Sequence, residues 1–373
     1  MRVGFNVEQL VQDGVSGIAT YTAELVRRLP SNGWDVTAFT ARHGRGEVDD
    51  AMAAAGLATV HPVVLPLPRP ALYDAWHTVG AASPLRRIAP VDLVHAPSVA
   101  VPPISDVPLV VTAHDAAPVT WPETYTRRGR WFHERGFAAA AKRARFVIAV
   151  SEFSAAELVA HTPIRREQIR VVPNGVELER AVDADVQSTL ARYHLTGQPY
   201  VLWVGTMQPR KNVKVLVDAF ARAVRDAALP HALVLVGARG WLDDLDTDDV
   251  GLGNRLVMPG PVGRHDLSAL YAGADAFALP SLHEGFGIPV LEALAQGTAV
   301  IASDIPVLRE VAGDAARFAS PTDGDAWRDA LVELLSDPVA RAAVAGRGPA
   351  RAAQFSWDQC AVRTAAVYDD ALR

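Results

Sequence analysis

The chain has 373 residues, of which 50% are hydrophobic and 21% charged, with a formal net charge of −6 and a single cysteine, Cys360. This length allows two to three domains, the charge gives no support to general nucleic-acid binding, and one cysteine excludes an internal disulfide. No apolar run reaches the roughly 18 residues of a membrane-spanning helix, and the N-terminus reads as a strand rather than a signal segment, so we expect a cytoplasmic protein.

The first half of the chain alternates short apolar runs with helical periods. Strands are predicted at VGFNV, VTAFTA, LVHAP, PLVVTAH, FVIAVS and IRVVPNG, and helices at TYTAELVRRL and SAAELVAH. This alternation predicts an α/β domain, with a parallel sheet covered by helices on both faces. We assign residues 1–180 to this first domain.

The second half repeats the alternation. Strands are predicted at YVLWVGT, ALVLVGA, RLVMPG, AFALPS and AVIASD, and helices at VKVLVDAFARAVRDA, DLSALYAGA and DAWRDALVELLSD. The polar stretch from Glu177 to Pro199 interrupts the pattern and is the candidate boundary, so residues 198–355 form the second domain. Two doubly wound parallel-sheet domains of this kind are expected to face each other across a cleft.

Candidate site residues begin after the first strand. Gly14 and Gly17 permit a loop that runs close to a ligand. Their spacing is not the G-x-G-x-x-G dinucleotide fingerprint, and an ordinary βα turn is the alternative. His114 and Asp115 end a strongly apolar strand, which is where open parallel sheets place site residues. A histidine that belongs only to the core is the alternative there.

The segment from Thr126 to Phe146 carries seven basic residues and one acidic residue, with aromatic side chains interleaved. Two interpretations are open for residues 127–145. The segment could contact an anionic membrane or a phosphorylated acceptor, which would place the protein peripherally at the inner face of the membrane. It could also be an ordinary helix with a solvated basic face, which is the interpretation we prefer.

Arg210 and Lys211 lie in the loop after YVLWVG, and Asn212 suits the cap position of the helix that follows. Two fixed cations beside a helix N-terminus form a clamp for a pyrophosphate. A solvated basic loop is the alternative. The position between a strand and a helix favours the clamp.

Glu284 and Glu292 flank a glycine-rich turn, with seven residues between them. Gly285 and Gly287 allow a tight turn, and Pro289 suits the first turn of a helix. The helix N-terminus favours phosphate, which two acids would repel, so the acids are better used as acceptors for the hydroxyls of a sugar and a ribose. In the alternative, Glu292 only complements the helix dipole and Glu284 is solvated.

These stretches together resemble one family. EGFGIPVLE resembles the Glu-x7-Glu motif of retaining glycosyltransferases of family four, which have the GT-B fold, and GTMQPRKN is similar to their phosphate-binding Arg-Lys loop. AHD, VSEFSAAEL, VVPNGVE and LYAGADAFALPSLHEGFG also resemble the family. The resemblance covers nearly the whole chain and is strongest from Tyr200 to Asp304. It implies two Rossmann-like domains, with the final helix, at about 357–373, crossing back to the first.

The resemblance also implies roles for individual residues. Glu284 contacts the donor sugar's hydroxyls, Glu292 holds the ribose hydroxyls, and His114 lies by the sugar near the reacting face. Catalytic roles thereby fall on His114, Glu284, Arg210 and Lys211, the last two balancing the charge of the leaving diphosphate. Donor binding falls on Gly14, Gly17, Arg210, Lys211, Gly285, Phe286, Gly287 and Glu292.

The implied activity is that of a retaining hexosyltransferase. Its substrates are a nucleotide sugar and a carbohydrate or glycoconjugate acceptor, and neither a cofactor nor a metal is expected. The segment HDAAPVTWPE looks most like family members that use GDP-mannose. Two alternatives stay open: a sugar-nucleotide epimerase on the same fold, and a catalytically silent partner that binds a sugar nucleotide.

Overall fold

The computed structural model describes residues 1–11, 16–177, 179–240 and 251–373. These residues form two compact units. Unit 1 consists of Met1–Gly175 together with Trp357–Arg373, and unit 2 consists of Val176–Ser356. Each unit is built on one parallel sheet with helices around it, so the predicted α/β class with two doubly wound sheets is confirmed.

Unit 1 contains a seven-stranded sheet. Its strands are β1 (Arg2–Asn6), β2 (Asp35–Arg42), β3 (Val63–Pro68), β4 (Leu93–Ala96), β5 (Leu109–Ala113), β6 (Phe146–Ala149) and β7 (Ile169–Val171). The helices that precede unit 2 are α1 (Gly17–Arg28), α2 (Glu47–Ala54), α3 (Arg69–Asp74), α4 (Leu85–Ile88), α5 (Ala117–Thr120), α6 (Arg127–Arg143) and α7 (Glu152–His161).

The strand order in unit 1 is β3-β2-β1-β4-β5-β6-β7, and all neighbours are parallel. The order reverses between β1 and β4, and open α/β sheets bind ligands beyond the carboxyl ends of their strands at such a point. Strands β4, β5 and β6 are buried along their whole length, as expected for a sheet covered on both faces. The apolar runs do not predict β3, whose sequence VVLPLP contains two prolines. It is an edge strand, where a missing N–H is tolerated.

Unit 2 contains a six-stranded parallel sheet in the order β10-β9-β8-β11-β12-β13, which reverses between β8 and β11. Its strands are β8 (Tyr200–Val204), β9 (Ala232–Val236), β10 (Leu256–Gly260), β11 (Ala276–Leu279), β12 (Ala299–Ser303) and β13 (Ala316–Ala319). Its helices are α8 (Asp183–Arg192), α9 (Val213–Ala227), α10 (Arg264–Gly273), α11 (Ile288–Gln296), α12 (Pro306–Ala312), α13 (Gly324–Ser336), α14 (Pro338–Ala345) and α15 (Gly348–Ala352). Helix α8 lies within the polar stretch between the two strand series.

The last helix, α16 (Trp357–Leu372), belongs to unit 1. Its buried residues recur at helical spacing and include Trp357, Thr364 and Tyr368. It packs along α1, where Arg28 Nε lies 2.7 Å from Asp358 Oδ1. Within the described parts of the chain, no helix combines the length and apolar composition that crossing a bilayer requires.

Candidate active site

Two loops of unit 2 meet at the point where its strand order reverses. The loop after β8 carries Arg210 and Lys211 in a 3-10 turn, and the loop after β11 carries Glu284. The backbone N–H of Leu282 donates to the Arg210 carbonyl at 2.8 Å and joins the two loops. The residues predicted from separate motifs are therefore brought together at the carboxyl edge of the sheet, where open α/β sheets bind ligands.

Asn212 connects the same two loops. It stands at the N-cap position of α9 in the left-handed conformation, with φ 54°. The predicted cap position is confirmed, but no side-chain hydrogen bond from Asn212 caps the helix. Its amide nitrogen Nδ2 donates to the Pro280 carbonyl at 3.0 Å and to the Pro321 carbonyl at 2.7 Å. The side chain thus fixes the basic loop against the end of β11.

Glu284 lies between the two cations. Its Oε1 is 2.6 Å from Lys211 Nζ, and its Oε2 is 3.4 Å from Arg210 Nη1. The Ser281 hydroxyl also donates to Oε1 at 2.7 Å. Glu284 and Lys211 are only 5% and 8% exposed, so the alternative of a solvated acid beside a solvated Arg-Lys loop does not hold for this pair.

The cluster fixes the charge of Glu284. Burial alone would raise the pKa of its carboxyl group, but Lys211, Arg210 and the Ser281 hydrogen bond lower that pKa to about 2. The carboxylate is therefore ionised at neutral pH, and the three charges sum to one positive charge. The arrangement attracts an anion without holding two uncompensated cations in a buried place.

The turn after Glu284 leads into α11. Gly287 occupies its N-cap with φ 98°, and a Cβ there would lie 2.6 Å from Leu308 Cδ2. Only glycine suits this position, because other residues are strained at that φ and would clash. Phe286 is buried, with its ring edge against Phe355 at a centroid distance of 5.9 Å. The backbone from Gly285 to Gly287 forms the N-terminal approach to α11, a position that favours negative charge.

Glu292 lies in the second turn of α11 and is partly buried. The hydroxyl of Tyr271 donates to its Oε2 at 2.9 Å. Among the described residues, no hydrogen bond reaches Oε1, which can accept one from a ligand. Burial raises the pKa of Glu292, and the Tyr271 hydrogen bond and the charge of Arg264 oppose that rise.

His114 lies in unit 1, directly after β5. Its Nε2 is 2.9 Å from the Pro97 carbonyl oxygen, which can only accept, so Nε2 carries the hydrogen. Burial lowers the pKa of His114 more than the Pro97 carbonyl and Asp115 raise it, which favours a neutral ring with Nδ1 as a hydrogen-bond acceptor. Asp115 turns to the local backbone, where its Oδ1 accepts from the Ala117 N–H at 3.1 Å.

The two glycines predicted near the first strand fare differently. Gly14 lies outside the described residues. Gly17 is the exposed first residue of α1, whose N-cap Ser16 accepts a hydrogen bond from the Ala19 N–H through its side chain. Gly17 therefore stands at a helix N-terminus, and its role in donor binding stays a prediction.

Helix α6 makes up most of the basic segment. Phe132 faces inward and stacks on Tyr73 at a centroid distance of 5.6 Å. Arg143 donates to the Trp76 carbonyl at 3.0 Å, and Arg128 pairs with Asp74 at 3.0 Å. Phe137 is buried in the same core, so Phe132 and Phe137 both face the interior of unit 1. The other five basic residues of the segment are exposed: Arg127, Arg130, Arg135, Lys142 and Arg145.

Two residues of the site were not predicted from the sequence. Ser281 contacts Glu284 and Tyr271 contacts Glu292. Ser281 has a local signal, because it stands three residues before Glu284 in the same turn. Tyr271 has none, because an aromatic residue in a helix is expected to be an ordinary core residue.

Comparisons with known proteins cover both units. The family model described as Glycosyltransferase Family 4 matches residues 15–180, and the one described as Glycosyl transferases group 1 matches residues 191–351. The chain is 31% identical to O-antigen chain mannosyltransferase B of Escherichia coli, over 99% of each chain. It is 32% identical to D-inositol 3-phosphate glycosyltransferase of Xylanimonas cellulosilytica, over 72% of this chain and 67% of that one.

A solved structure matches the whole chain. Alr3699/HepE of Anabaena, in complex with UDP and glucose, superposes with a TM-score of 0.77 at 19% identity. The match covers 99% of this chain and 100% of that one. At this identity the likeness shows a shared fold of two Rossmann-like domains and nothing finer.

Proposed function

We propose that this chain, which belongs to glycosyltransferase family 4, transfers a hexose from a nucleotide sugar to an acceptor hydroxyl and retains the anomeric configuration. The match along the whole E. coli mannosyltransferase, together with the two family models, establishes the family. The two parallel sheets and the likeness to the Anabaena structure confirm the predicted GT-B fold. The donor, the acceptor and the stereochemical outcome are the proposal. The acceptor class is a glycan or glycoconjugate.

The observation that carries this proposal is the buried cluster of Arg210, Lys211 and Glu284 at the reversal of strand order in unit 2. A nucleoside diphosphate is the ligand class that needs two cations at a helix N-terminus. A sugar on that diphosphate needs a nearby group that accepts hydrogen bonds from its hydroxyls, and the ionised, oriented carboxylate of Glu284 is such a group. Glu292, with its second oxygen unbonded among the described residues, suits the ribose diol.

In the proposed reaction, the bond between the anomeric carbon and the diphosphate oxygen breaks, and the acceptor oxygen bonds to that carbon on the same face. The acceptor proton passes to the departing phosphate oxygen. Arg210 and Lys211 stabilise the charge that develops on the diphosphate, a role for which preorganised cations in a dry site are effective. His114 accepts a hydrogen bond from a sugar hydroxyl through Nδ1. We expect no metal requirement, because these cations provide the electrostatic stabilisation.

For the donor, we propose GDP-mannose. The E. coli relative is named a mannosyltransferase, and the segment from His114 to Glu123 resembles users of GDP-mannose. The Anabaena protein was solved with UDP and glucose, so uridine donors are the principal competitors to test.

The test is a panel of GDP- and UDP-sugars, with and without candidate glycan acceptors. We expect release of nucleoside diphosphate to be fastest with GDP-mannose and to increase when an acceptor is present, and NMR of the product to show the donor's anomeric configuration. A changed nucleotide sugar without any acceptor would indicate an epimerase. Binding of a donor without turnover in any combination would indicate a silent partner.

The exposed basic residues of α6 support a second, separate proposal. We propose that residues 127–145 contact an anionic surface at the inner face of the membrane. The contact is electrostatic, because Phe132 packs inside unit 1 and is not presented to the lipid. Cosedimentation with vesicles that contain anionic or only zwitterionic lipid tests this. We expect the protein to bind anionic vesicles, and high salt should abolish that binding. No binding to either kind of vesicle would indicate an ordinary solvated helix face.

A further inference from the structure

Four buried side chains of unit 1 form a hydrogen-bonded chain that the roles above do not use. They come from four different elements: Tyr21 from α1, Thr112 from β5, His95 from β4 and Tyr368 from α16. All four are 0% exposed. Polar groups in such a place are costly unless they are paired, so their arrangement is specific.

The chain is continuous. Tyr21 Oη lies 2.8 Å from Thr112 Oγ1, Thr112 Oγ1 lies 2.8 Å from His95 Nε2, and His95 Nδ1 lies 2.5 Å from Tyr368 Oη. Aromatic edges reinforce it, with centroid distances of 4.7 Å between Phe5 and His95 and 5.5 Å between His95 and Tyr368. A single network thus connects the C-terminal helix with the centre of the sheet.

The network consists of neutral groups. Burial, and then the neighbouring His114, lowers the pKa of His95 to about 3, so its ring carries one hydrogen near neutral pH. Because His95 is hydrogen-bonded through both nitrogens, its tautomer is set by Thr112 on one side and Tyr368 on the other. Removal of the Tyr368 hydroxyl therefore allows the His95 tautomer to change, and with it the hydrogen bond between His95 and Thr112.

The network ends at His114. The ring of Tyr21 meets the ring of His114 edge-on, with centroids 5.0 Å apart and planes at 88°. Thr112 precedes His114 by two residues, so the two share a face of β5 and its extension. His95 precedes Pro97 by two residues, and the Pro97 carbonyl receives the His114 Nε2 hydrogen. The contact between His95 and Thr112 thus joins the two strands that present this donor and acceptor.

We propose that Tyr21, Thr112, His95 and Tyr368 are positioning residues for His114, and that α16 is thereby a support of the reaction site. The inference rests on the proposed role of His114. If these residues only stabilised the core, their loss would lower the melting temperature without changing the His114 ring. A positioning role predicts a change in the ring itself and in kcat.

The variants Tyr368→Phe, Thr112→Val and Tyr21→Phe each remove hydroxyl contacts and keep the shape. Tyr21→Leu also removes the ring edge against His114. Tyr193→Phe is the matched control, because it loses one hydrogen bond, from its hydroxyl to Asp266 Oδ2 at 2.9 Å in unit 2, and touches nothing in the network. Histidine-¹⁵N NMR reports the His114 tautomer and exchange, with the signals assigned by His114→Gln.

We expect kcat to fall by about 5-fold for Tyr368→Phe and by about 10- to 30-fold for Thr112→Val and Tyr21→Leu, since small misplacements at a reacting centre cost up to about 100-fold. Tyr21→Phe should fall less than Tyr21→Leu. The Kd for free nucleoside diphosphate should stay within about twofold, because the nucleotide site lies in unit 2. A wild-type near-ultraviolet circular dichroism spectrum at the assay temperature reports that unit 1 of each variant is folded. The His114 signal should change from a single Nε2–H tautomer to a broadened or mixed one.

A fall in kcat with an unchanged His114 signal would overturn the inference, as would wild-type kcat and signal in all four variants. His114→Gln with wild-type kcat would overturn the proposed role of His114 instead. In that case the NMR comparison still decides whether the network holds the ring, and unchanged spectra reject it.

Discussion

Replacing Glu284 by Gln removes one negative charge from a buried cluster and keeps the size of the side chain. In the native protein the carboxylate contacts both Lys211 and Arg210. We expect the variant to bind free nucleoside diphosphate more tightly, because the carboxylate occupies the cations that a phosphate needs. We also expect kcat to fall, because under the proposed role this carboxylate contacts the sugar.

The magnitude follows from the pKa of Glu284. Burial raises it, but Lys211, Arg210 and Ser281 lower it from 4.5 to about 2. At about 1.4 kcal/mol per pKa unit, the cluster favours the ionised carboxylate by about 3 kcal/mol. A phosphate that recovers about half of that attraction would bind roughly tenfold more tightly once the carboxylate is gone. Without a ligand, the variant should melt at a lower temperature, because two cations remain without their anion.

Calorimetric titration with GDP and UDP, at low and high salt, measures the affinity, and steady-state kinetics measure kcat. Asp304→Asn is the control, since it also removes a negative charge from unit 2. The Asp304 carboxylate is exposed and paired with Arg309. The control should bind nucleotide as the wild type does. A Glu284→Gln protein that bound both diphosphates tenfold more weakly would contradict this prediction, because the native carboxylate would then support the nucleotide rather than compete with it.

Arg210→Ala and Lys211→Ala should each lower kcat/KM by about two to three orders of magnitude, as for loss of a transition-state contact, and near-normal kinetics would remove the clamp role. Lys211→Ala should also lower the melting temperature, because it leaves a buried carboxylate with less compensation. Activity should persist in excess EDTA, and complete loss that only Mg²⁺ or Mn²⁺ restores would contradict metal independence. Glu292→Gln should raise the donor KM by about tenfold with little change in kcat. Because the pKa of Glu292 is raised, nucleotide affinity should weaken on acidification at a higher pH than for an ordinary glutamate, and the Gln variant should lack that limb. If Glu284→Ala lost nucleotide affinity and Glu292→Ala kept it, the two roles would be reversed.

The parts of the fold that the sequence predicts are those with a local signal. Buried parallel strands such as β5 and β9 are continuous apolar runs, so their existence is visible in the letters. The helix α11 carries its own start and stop, with Pro289 in its first turn and Gly297 after its end. The sequence pattern does not predict edge strand β3, because prolines are not expected in the interior of a sheet, although an edge strand tolerates them.

The contacts of the site depend on long-range pairing that no local pattern contains. Lys211 and Glu284 were predicted as separate site residues, but their ion pair joins positions 73 apart. His95 and Tyr368 are separated by 273 positions, and each alone looks like an ordinary core residue. Their significance depends on which strands and helices become neighbours, which only the assembled sheet shows.

The division of unit 1 into two chain segments has a consequence for synthesis. The residues of α16 are made after Val176–Ser356, which at about 5–20 residues per second takes roughly 10–40 s on the ribosome. During that interval the network that contains His95 and Tyr21 lacks Tyr368, and the surface of α1 that α16 later covers is exposed to solvent. A released chain truncated after residue 356 should therefore show a protease-resistant unit 2 and a protease-sensitive unit 1. Equal resistance of both would mean that unit 1 matures without its final helix.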